Sequence, residues 1–321
     1  MRSSVATHID TIQRAITSSD AARSALVASW RRSGHLHALD PAARVLPKRL
    51  TDDRTVEARQ RIEPIVLIAQ AALDRLFKAV GGVGCSVMLA DSGGLVIDRR
   101  GAPGDDATFR DWGLWTGSIW SEKDEGTNGI GTCLFERRPL TVHRDQHFFA
   151  RNAALSCSAA PIFDEHGELA AAIDVSSCRA DLTEGFSNLI ATAVTDAARQ
   201  VETDNFRAAF ANARIVLAET HERLGVALVA VDADDLVLGA TRAARGAFGI
   251  SPGKLARSTP FADLTGAGPK TDEGLASAER AVLQRALARS RGNVSRAAEA
   301  LGISRATLHR KLNQFGLKRA S

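Results

Sequence analysis

The sequence predicts an α+β protein: N-terminal helices, an antiparallel sheet with flanking helices, a short strand-and-helix unit, and an all-α helix-turn-helix at the C-terminus. Three observations carry this expectation. Apolar residues between 55 and 80 recur at helical spacing, and from Cys85 onward the period drops to two. Two hairpin signatures follow, each a pair of apolar runs around a short Asp/Gly turn. Finally, charge is uneven. From Leu275 to the C-terminus ten Lys or Arg and two Glu give +8, while the preceding 31 basic and 35 acidic residues give −4. A near-neutral body with a basic tail suits one module on polyanionic DNA and another with a different task.

A chain of 321 residues can hold two or three domains. In residues 8–33, Ile12, Ile16, Leu26, Val27 and Trp30 form a helical stripe that LDPAAR (39–44) and Pro47 interrupt. A longer helix is expected from Thr55 to Val80, with Ile62, Ile65, Val66, Ala69, Leu73, Leu76 and Phe77 on one side, ended by Gly81, Gly82 and Gly84. CSVMLA (85–90) and LVID (95–98) form the first hairpin around DSGG. SCSAAPIF (156–163) and ELAAAIDVS (168–176) form the second around Asp164-Glu165-His166-Gly167. Between them lie a tryptophan-rich segment, a helix near Gly126–Arg137 and the strand PLTVH (139–143). A helix from Leu182 to about Ala209 closes the unit, its sheet facing helices on one side.

Residues 215–250 read as a third unit: a strand, an Asp-rich turn (232–235), a second strand and a short helix. Ser258–Gly274 reads as a linker. The stretch SRGNVSRAAEALGISRATLHRKLNQFGLKR (290–319) reads as a helix, a three-residue turn and a second helix. Asn293 or Ser295 can cap the first helix, because a short polar side chain accepts from unpaired backbone N–H groups. Gly302 suits the left-handed residue that ends it, and Ser304 can cap the next. Leu308 and Leu312 face inward, leaving Arg305, Thr307, His309, Arg310 and Lys311 outside, as a major-groove reader requires.

Two resemblances follow from these residues. Gly292–Leu312 carries an unbroken GN-x-[ST]-x-AA-x-x-LGISR-x-TL-x-RKL pattern and closely resembles the Fis-type helix-turn-helix. That resemblance implies groove-facing roles for Arg305, His309 and Arg310, and phosphate contacts for Ser295, Arg296, Ser304, Thr307 and Lys311. WSEKDEGTNGIGTCL (120–134), VHRDQHF (142–148), SCSAAPIFD (156–164) and AAAIDVSS (170–177) resemble the GAF sensor of the acetoin-catabolism-regulator class of sigma-54 activators. SWRRS (29–33) and LDPA (39–42) resemble that class's lead-in. The third unit resembles the start of a PAS domain. The expected organisation is therefore a helical lead-in (1–54), a GAF-like sensor (55–205), a PAS-like connector (206–257), a linker (258–274) and a Fis-type reader (275–321).

In the resembled class an AAA+ ATPase separates sensor and reader. Here no G-x-x-x-x-G-K-[ST] loop occurs. SPGK (251–254) lacks the hydroxyl after lysine, and in GAGPKT (266–271) proline replaces the glycine whose N–H should approach phosphate. No GAFTGA-like sigma-factor loop is present either.

Trp112, Trp115 and Trp120, with Thr127, Asn128, Thr132, Cys133, His143 and Cys157, are candidate effector residues. Aromatic walls with a few polar groups can orient a small organic molecule, and the same tryptophans can equally serve as core or dimer packing. His143-x-Asp145-x-His147 with Cys157 offers metal-ligand types on one strand face, but hydrogen-bonded histidines are the commoner use. No metal and no cofactor other than a small-molecule effector is expected. Glu122, Asp124 and Glu125 read as a solvated acidic run rather than an acid–base pair, so no catalytic residue is assigned. The four cysteines lack C-x-x-C spacing and read as reduced, packed thiols in a cytoplasm. No export signal or membrane span is indicated.

The expectation is a cytoplasmic, non-enzymatic regulator that binds double-stranded DNA, as a homodimer on an inverted repeat, under control of a small molecule. Helices 8–33 and 182–220 are the candidate dimer contacts. RNA polymerase or a complete AAA+ activator is a further candidate partner, the latter through mixed oligomers or enhancer occupancy.

Overall fold

The computed structural model describes residues 2–18, 24–179, 183–218, 226–233, 236–251, 260–265, 274–290 and 292–317. The chain forms two compact units, residues 1–258 and 259–321.

The expected 8–33 helix is instead two, α1 (Arg2–Thr17) and α2 (Ala25–Arg31), the latter running into a π-helical turn over Arg32–Leu36. Ser24 caps α2 by accepting from the Val27 N–H. The single helix expected over 55–80 is likewise two, α3 (Asp52–Arg61) and α4 (Glu63–Val80), parted at Ile62. Pro64 lies in the first turn of α4, where its missing N–H costs nothing; in a continuous helix it would remove an internal hydrogen bond.

Five strands form one antiparallel sheet: β1 (Cys85–Asp91), β2 (Val96–Arg100), β3 (Leu140–His143), β4 (Ser156–Phe163) and β5 (Leu169–Ser177), in spatial order β2-β1-β5-β4-β3. The register sets Val87 against Val175 and Leu89 against Ile173. These side chains pack on one face against Val66, Leu73 and Leu76 of α4 and Val194, Ala198 and Val201 of α8 (Glu184–Ala209). Met88, Ala90, Cys157, Ala159 and Ala172 point to the opposite face. That face is covered as well, by residues of α5 (Asp106–Asp111), α7 (Gly129–Glu136) and the loops around the short α6 (Glu122–Glu125). The one-sided helix packing expected from sequence is therefore corrected to two-sided. The strand composition agrees, since β4 is buried at every position instead of alternating.

Beyond α8 a three-stranded sheet is ordered β6 (Arg214–Leu217), β7 (Leu228–Val231), β8 (Val237–Ala240), followed by α9 (Arg242–Phe248). Phe206 of α8 packs with Leu228 and Ala230 of β7. The Asp-rich turn expected here lies partly outside the described residues, at 234 and 235.

The second unit holds α10 (Phe261–Thr265), α11 (Gly274–Arg289), α12 (Val294–Ala300) and α13 (Arg305–Gln314). Helix α10 falls inside the expected linker, whose residues 266–273 lie outside the described residues. Leu283 and Leu287 of α11, Ala297 and Ala298 of α12, and Leu308 and Leu312 of α13 form its core.

Candidate nucleic-acid interface and sensor face

Local chemistry sets the α12–α13 angle. The Asn293 side chain accepts from the Arg296 N–H at 3.2 Å, so Asn293 is the cap and Ser295 is free of that task. Gly302 has φ +66°, and open space surrounds the position of an added Cβ, so its requirement is conformational, not steric. Ser304 accepts from the Thr307 N–H at 3.1 Å, with the two hydroxyls 2.8 Å apart.

With Leu308 and Leu312 buried, about 100° per residue puts Arg310 roughly opposite the packed side of α13. Arg305 and Arg310 are exposed, and Thr307 and His309 are half-exposed. Ala306, Asn313 and Gln314 flank Arg310, and Asn313 and Gln314 are groove candidates that the motif alone did not single out. The helical wheel, anchored on the two leucines, was the signal that could have found them. Lys311 sits at the margin with its ammonium on the Glu279 carboxylate of α11. Ser295 and Arg296 are exposed in the first turn of α12. The arrangement offers two arginines and an imidazole for base edges, plus hydroxyls and backbone N–H groups for phosphate.

The second face of the five-stranded sheet gathers only some of the candidate effector residues. Trp120 is fully buried and its indole N–H donates to Gly113 O at 2.9 Å. Trp112 packs at the edge of this cluster, which also holds Phe109, Ile130, Cys133 and Cys157. Trp115 is outside this cluster; the guanidiniums of Arg99 and Arg110 each lie 4.2 Å from its ring. Burial pushes the thiols of Cys133 and Cys157 upward, which keeps both neutral.

Asp174 of β5 is the residue that motif reading missed. It is buried among these groups. Oδ2 accepts from Ser176 Oγ at 2.6 Å, while Oδ1 has no partner. Burial pushes its carboxyl up to about 7. A Cβ on Gly129 would lie 2.6 Å from both Asp174 Oδ1 and Cys157 Cβ, so only glycine lets α7 start flush against the pair. An acidic residue inside the apolar run of β5 was a visible signal.

Thr127 and Thr132 meet the lead-in. Ser29 Oγ lies 2.7 Å from Thr127 Oγ1 and 3.4 Å from Thr132 Oγ1, and donates to Glu122 Oε2 at 2.7 Å. Arg32 grips the same carboxylate through Nε at 2.7 Å and Nη2 at 3.1 Å. Asn128 caps α7, accepting from the Gly131 N–H at 2.8 Å. The reading of 122–125 as a solvated run is thereby corrected. Glu122 and Glu125 are buried and paired, Glu122 with Arg32 and Glu125 with Arg151 at 2.6 Å. Sequence could not show this because the partners lie far along the chain.

The expected strand alternation of His143, Asp145 and His147 does not hold. β3 stops at His143, and Arg144–Gln146 form a 3-10 turn. His143 Nδ1 pairs with Ser156 Oγ at 2.7 Å. His147 is fully buried beside Arg144 O, and burial pushes its imidazole down to about 4, so it is neutral. Among the described residues no group of three or more His, Cys, Asp or Glu is placed to hold a metal. No described helix is long and apolar enough to cross a membrane.

Residues 64–203 match the GAF domain, and residues 274–315 match the bacterial regulatory protein, Fis family. Between the two matches lie only residues 204–273. The acetoin catabolism regulatory protein of Cupriavidus necator is 38% identical over 182 residues, covering 56% of this chain and 27% of that protein. The acetoin dehydrogenase operon transcriptional activator of Bacillus subtilis is 29% identical over 178 residues, covering 56% and 29%. The propane 2-monooxygenase operon transcriptional activator of Mycolicibacterium smegmatis is 31% identical over 144 residues, covering 44% and 23%. The chain thus spans about a quarter of the length of these relatives. Among solved structures, the Escherichia coli DhaR(N)–DhaL complex aligns with a TM-score of 0.52 at 17% identity, covering 71% of this chain and 77% of that one, a likeness of fold.

Proposed function

We propose that this chain, a GAF domain joined to a Fis-type helix-turn-helix, is a sequence-specific DNA-binding transcriptional regulator controlled by a small organic effector. The observation that carries the reading is the capped reader itself: Arg305 and Arg310 exposed and His309 half-exposed on a helix anchored by the buried Leu308 and Leu312, in one chain with a sensor domain. The interval 204–273 contains no phosphate loop, so signal transfer rests on geometry or association, without ATP turnover. The proposed role is non-enzymatic and cytoplasmic.

For the effector we propose a small uncharged metabolite, held on the second sheet face by Trp112, Trp120, Cys133 and Cys157, with Asp174 as the polar contact. A carboxyl lifted to about 7 and short of one partner suits a hydroxyl or carbonyl better than a charged group. The names of the relatives, which refer to acetoin and propane 2-monooxygenase, support this class. A homodimer through α1–α2 and α8 would space two recognition helices by about 34 Å on an inverted repeat.

Selection of genomic fragments by the full chain, followed by gel-shift titration, tests the reading. Enrichment of a two-fold symmetric site is expected, and Arg305→Ala should relax preference at one base pair by about 1–3 kcal/mol. Equal affinity and preference in the variant would sink the recognition-helix assignment.

A further inference from the structure

Helix α13 divides into two sides once its buried leucines fix its rotation. At about 100° per residue, Arg305, His309, Asn313, Ala306 and Arg310 fall about 40°, 80°, 120°, 140° and 180° to one side of the midline between Leu308 and Leu312. Lys311, Thr307 and Gln314 fall about 80°, 120° and 140° to the other side. The second side is engaged within its own unit. The Thr307 hydroxyl lies 2.8 Å from that of Ser304, and the Lys311 ammonium meets the Glu279 carboxylate of α11.

The residues assigned to the groove, Arg305, His309 and Arg310, all lie on the first side, and the helical residues assigned to phosphate, Thr307 and Lys311, lie on the second. Two further residues share the first side. Asn313 continues the ridge of Arg305 and His309 at steps of four, and Ala306 lies between that ridge and Arg310. Ala306, Arg310 and Asn313 are exposed. Ala306, His309, Arg310 and Asn313 thus stand at offsets of three, four and seven, the spacing by which a helix lying in the major groove presents several side chains to bases at once.

Resting on the recognition-helix reading above, we propose that Ala306 and Asn313 are two further sequence-reading residues, for a thymine and an adenine respectively. The Ala306 methyl meets the thymine C5-methyl. The Asn313 amide oxygen accepts from adenine N6–H, and its amide N–H donates to adenine N7. Arg310, between them, forks onto guanine O6 and N7. From Ala306 to Asn313 the helix rises about 10 Å, the length of about three base-pair steps. The half-site therefore holds thymine, guanine and adenine within about four consecutive base pairs. Gln314, on the side of Lys311 and Thr307, is turned toward the phosphates and reads no base.

The test is selection from a randomised duplex library by the full chain and by its Asn313→Ala, Gln314→Ala and Arg305→Ala variants. Asn313→Ala should lose preference for one A·T pair by about tenfold and keep the others, whereas Gln314→Ala should keep every preference. Base analogues probe the same contacts with the native chain, whatever a variant does to folding. In gel-shift titration, 7-deazaadenine in place of that adenine should weaken binding about tenfold. Uracil in place of one thymine within about four base pairs of it should weaken binding about fourfold, the worth of one buried methyl. Native preference in Asn313→Ala, loss in Gln314→Ala instead, or full affinity for the 7-deazaadenine site would overturn the Asn313 assignment. Full affinity with uracil at every such thymine would overturn the Ala306 contact. In either case a loss of preference in Arg305→Ala would leave the recognition helix standing. A native chain that selects no sequence would overturn that helix and this assignment together.

Discussion

Arg32→Met should release the N-terminal lead-in from the sensor. Methionine keeps most of the apolar stem and removes the guanidinium. The Glu122 carboxylate, with a side chain only 3% exposed, then retains a single donor from the residues that now hold it, the Ser29 hydroxyl. Removing one partner of a buried pair costs about 3–5 kcal/mol, because the other charge stays desolvated. The Arg32–Glu136 pair and the stacking of Arg32 on the exposed Phe135 ring add up to about 1 kcal/mol each. The chain can avoid the full cost by undocking α2 and the turn after it, so local opening is the expected outcome. Hydrogen exchange reads it directly: amides of residues 25–36 should lose protection by about two to three orders of magnitude, at about 1.4 kcal/mol per tenfold. The double variant Arg32→Met/Glu122→Met should regain more than half of that protection, since it leaves no buried charge. Unchanged exchange in Arg32→Met, or a double variant worse than the single, would refute the argument.

Three further outcomes are expected. Leu308→Ala removes a fully buried side chain from a small core and should cost about 3 kcal/mol, melting the second unit while the calorimetric transition of the first stays in place. Retained DNA binding with two native transitions would contradict it. Lys311→Ala should weaken all DNA sequences alike and reduce the salt slope by about 1; a slope identical to the native one would mean that Lys311 serves Glu279 alone. Asp174 has a carboxyl raised from 3.8 to about 7, so the native fold binds its proton more tightly than the unfolded chain. Its stabilising contribution is complete below about pH 4 and is lost as pH rises through about 7. Glu202, also raised to about 7, acts in the same direction. Asp174→Asn should therefore flatten the decline in urea midpoint between pH 4 and 8, and a decline as steep as native would remove Asp174 from the account.

Much of the architecture was legible because short-range chemistry wrote it. The period-two runs at 85–90 and 168–176 became β1 and β5, and the Asn293, Gly302 and Ser304 signals landed on the cap, the left-handed turn and the second cap of the reader. The breaks at Ile62 and after Thr17 were less legible, because amphipathic spacing continues across them. The candidate effector set divided for a similar reason. Trp120 and Cys133 share the second core, but Trp115 contacts the guanidiniums of Arg99 and Arg110 and Thr127 faces Ser29. Residue type announces that a side chain can bind, whereas the strand and loop it rides on decides what it meets.

The sequence by itself determined the class of elements, the basic reader and the absence of a phosphate loop before it, since caps, periodicity and charge act within a few residues. Only the tertiary structure decided that Glu122 is buried under Arg32 and that Asp174 Oδ1 lacks a partner beside Gly129. Glu122 lies 90 positions from Arg32 and Asp174 lies 45 from Gly129, yet folding brings each pair to within a few ångströms. Desolvation then sets the energy of each group, and desolvation exists only once the chain has folded around it.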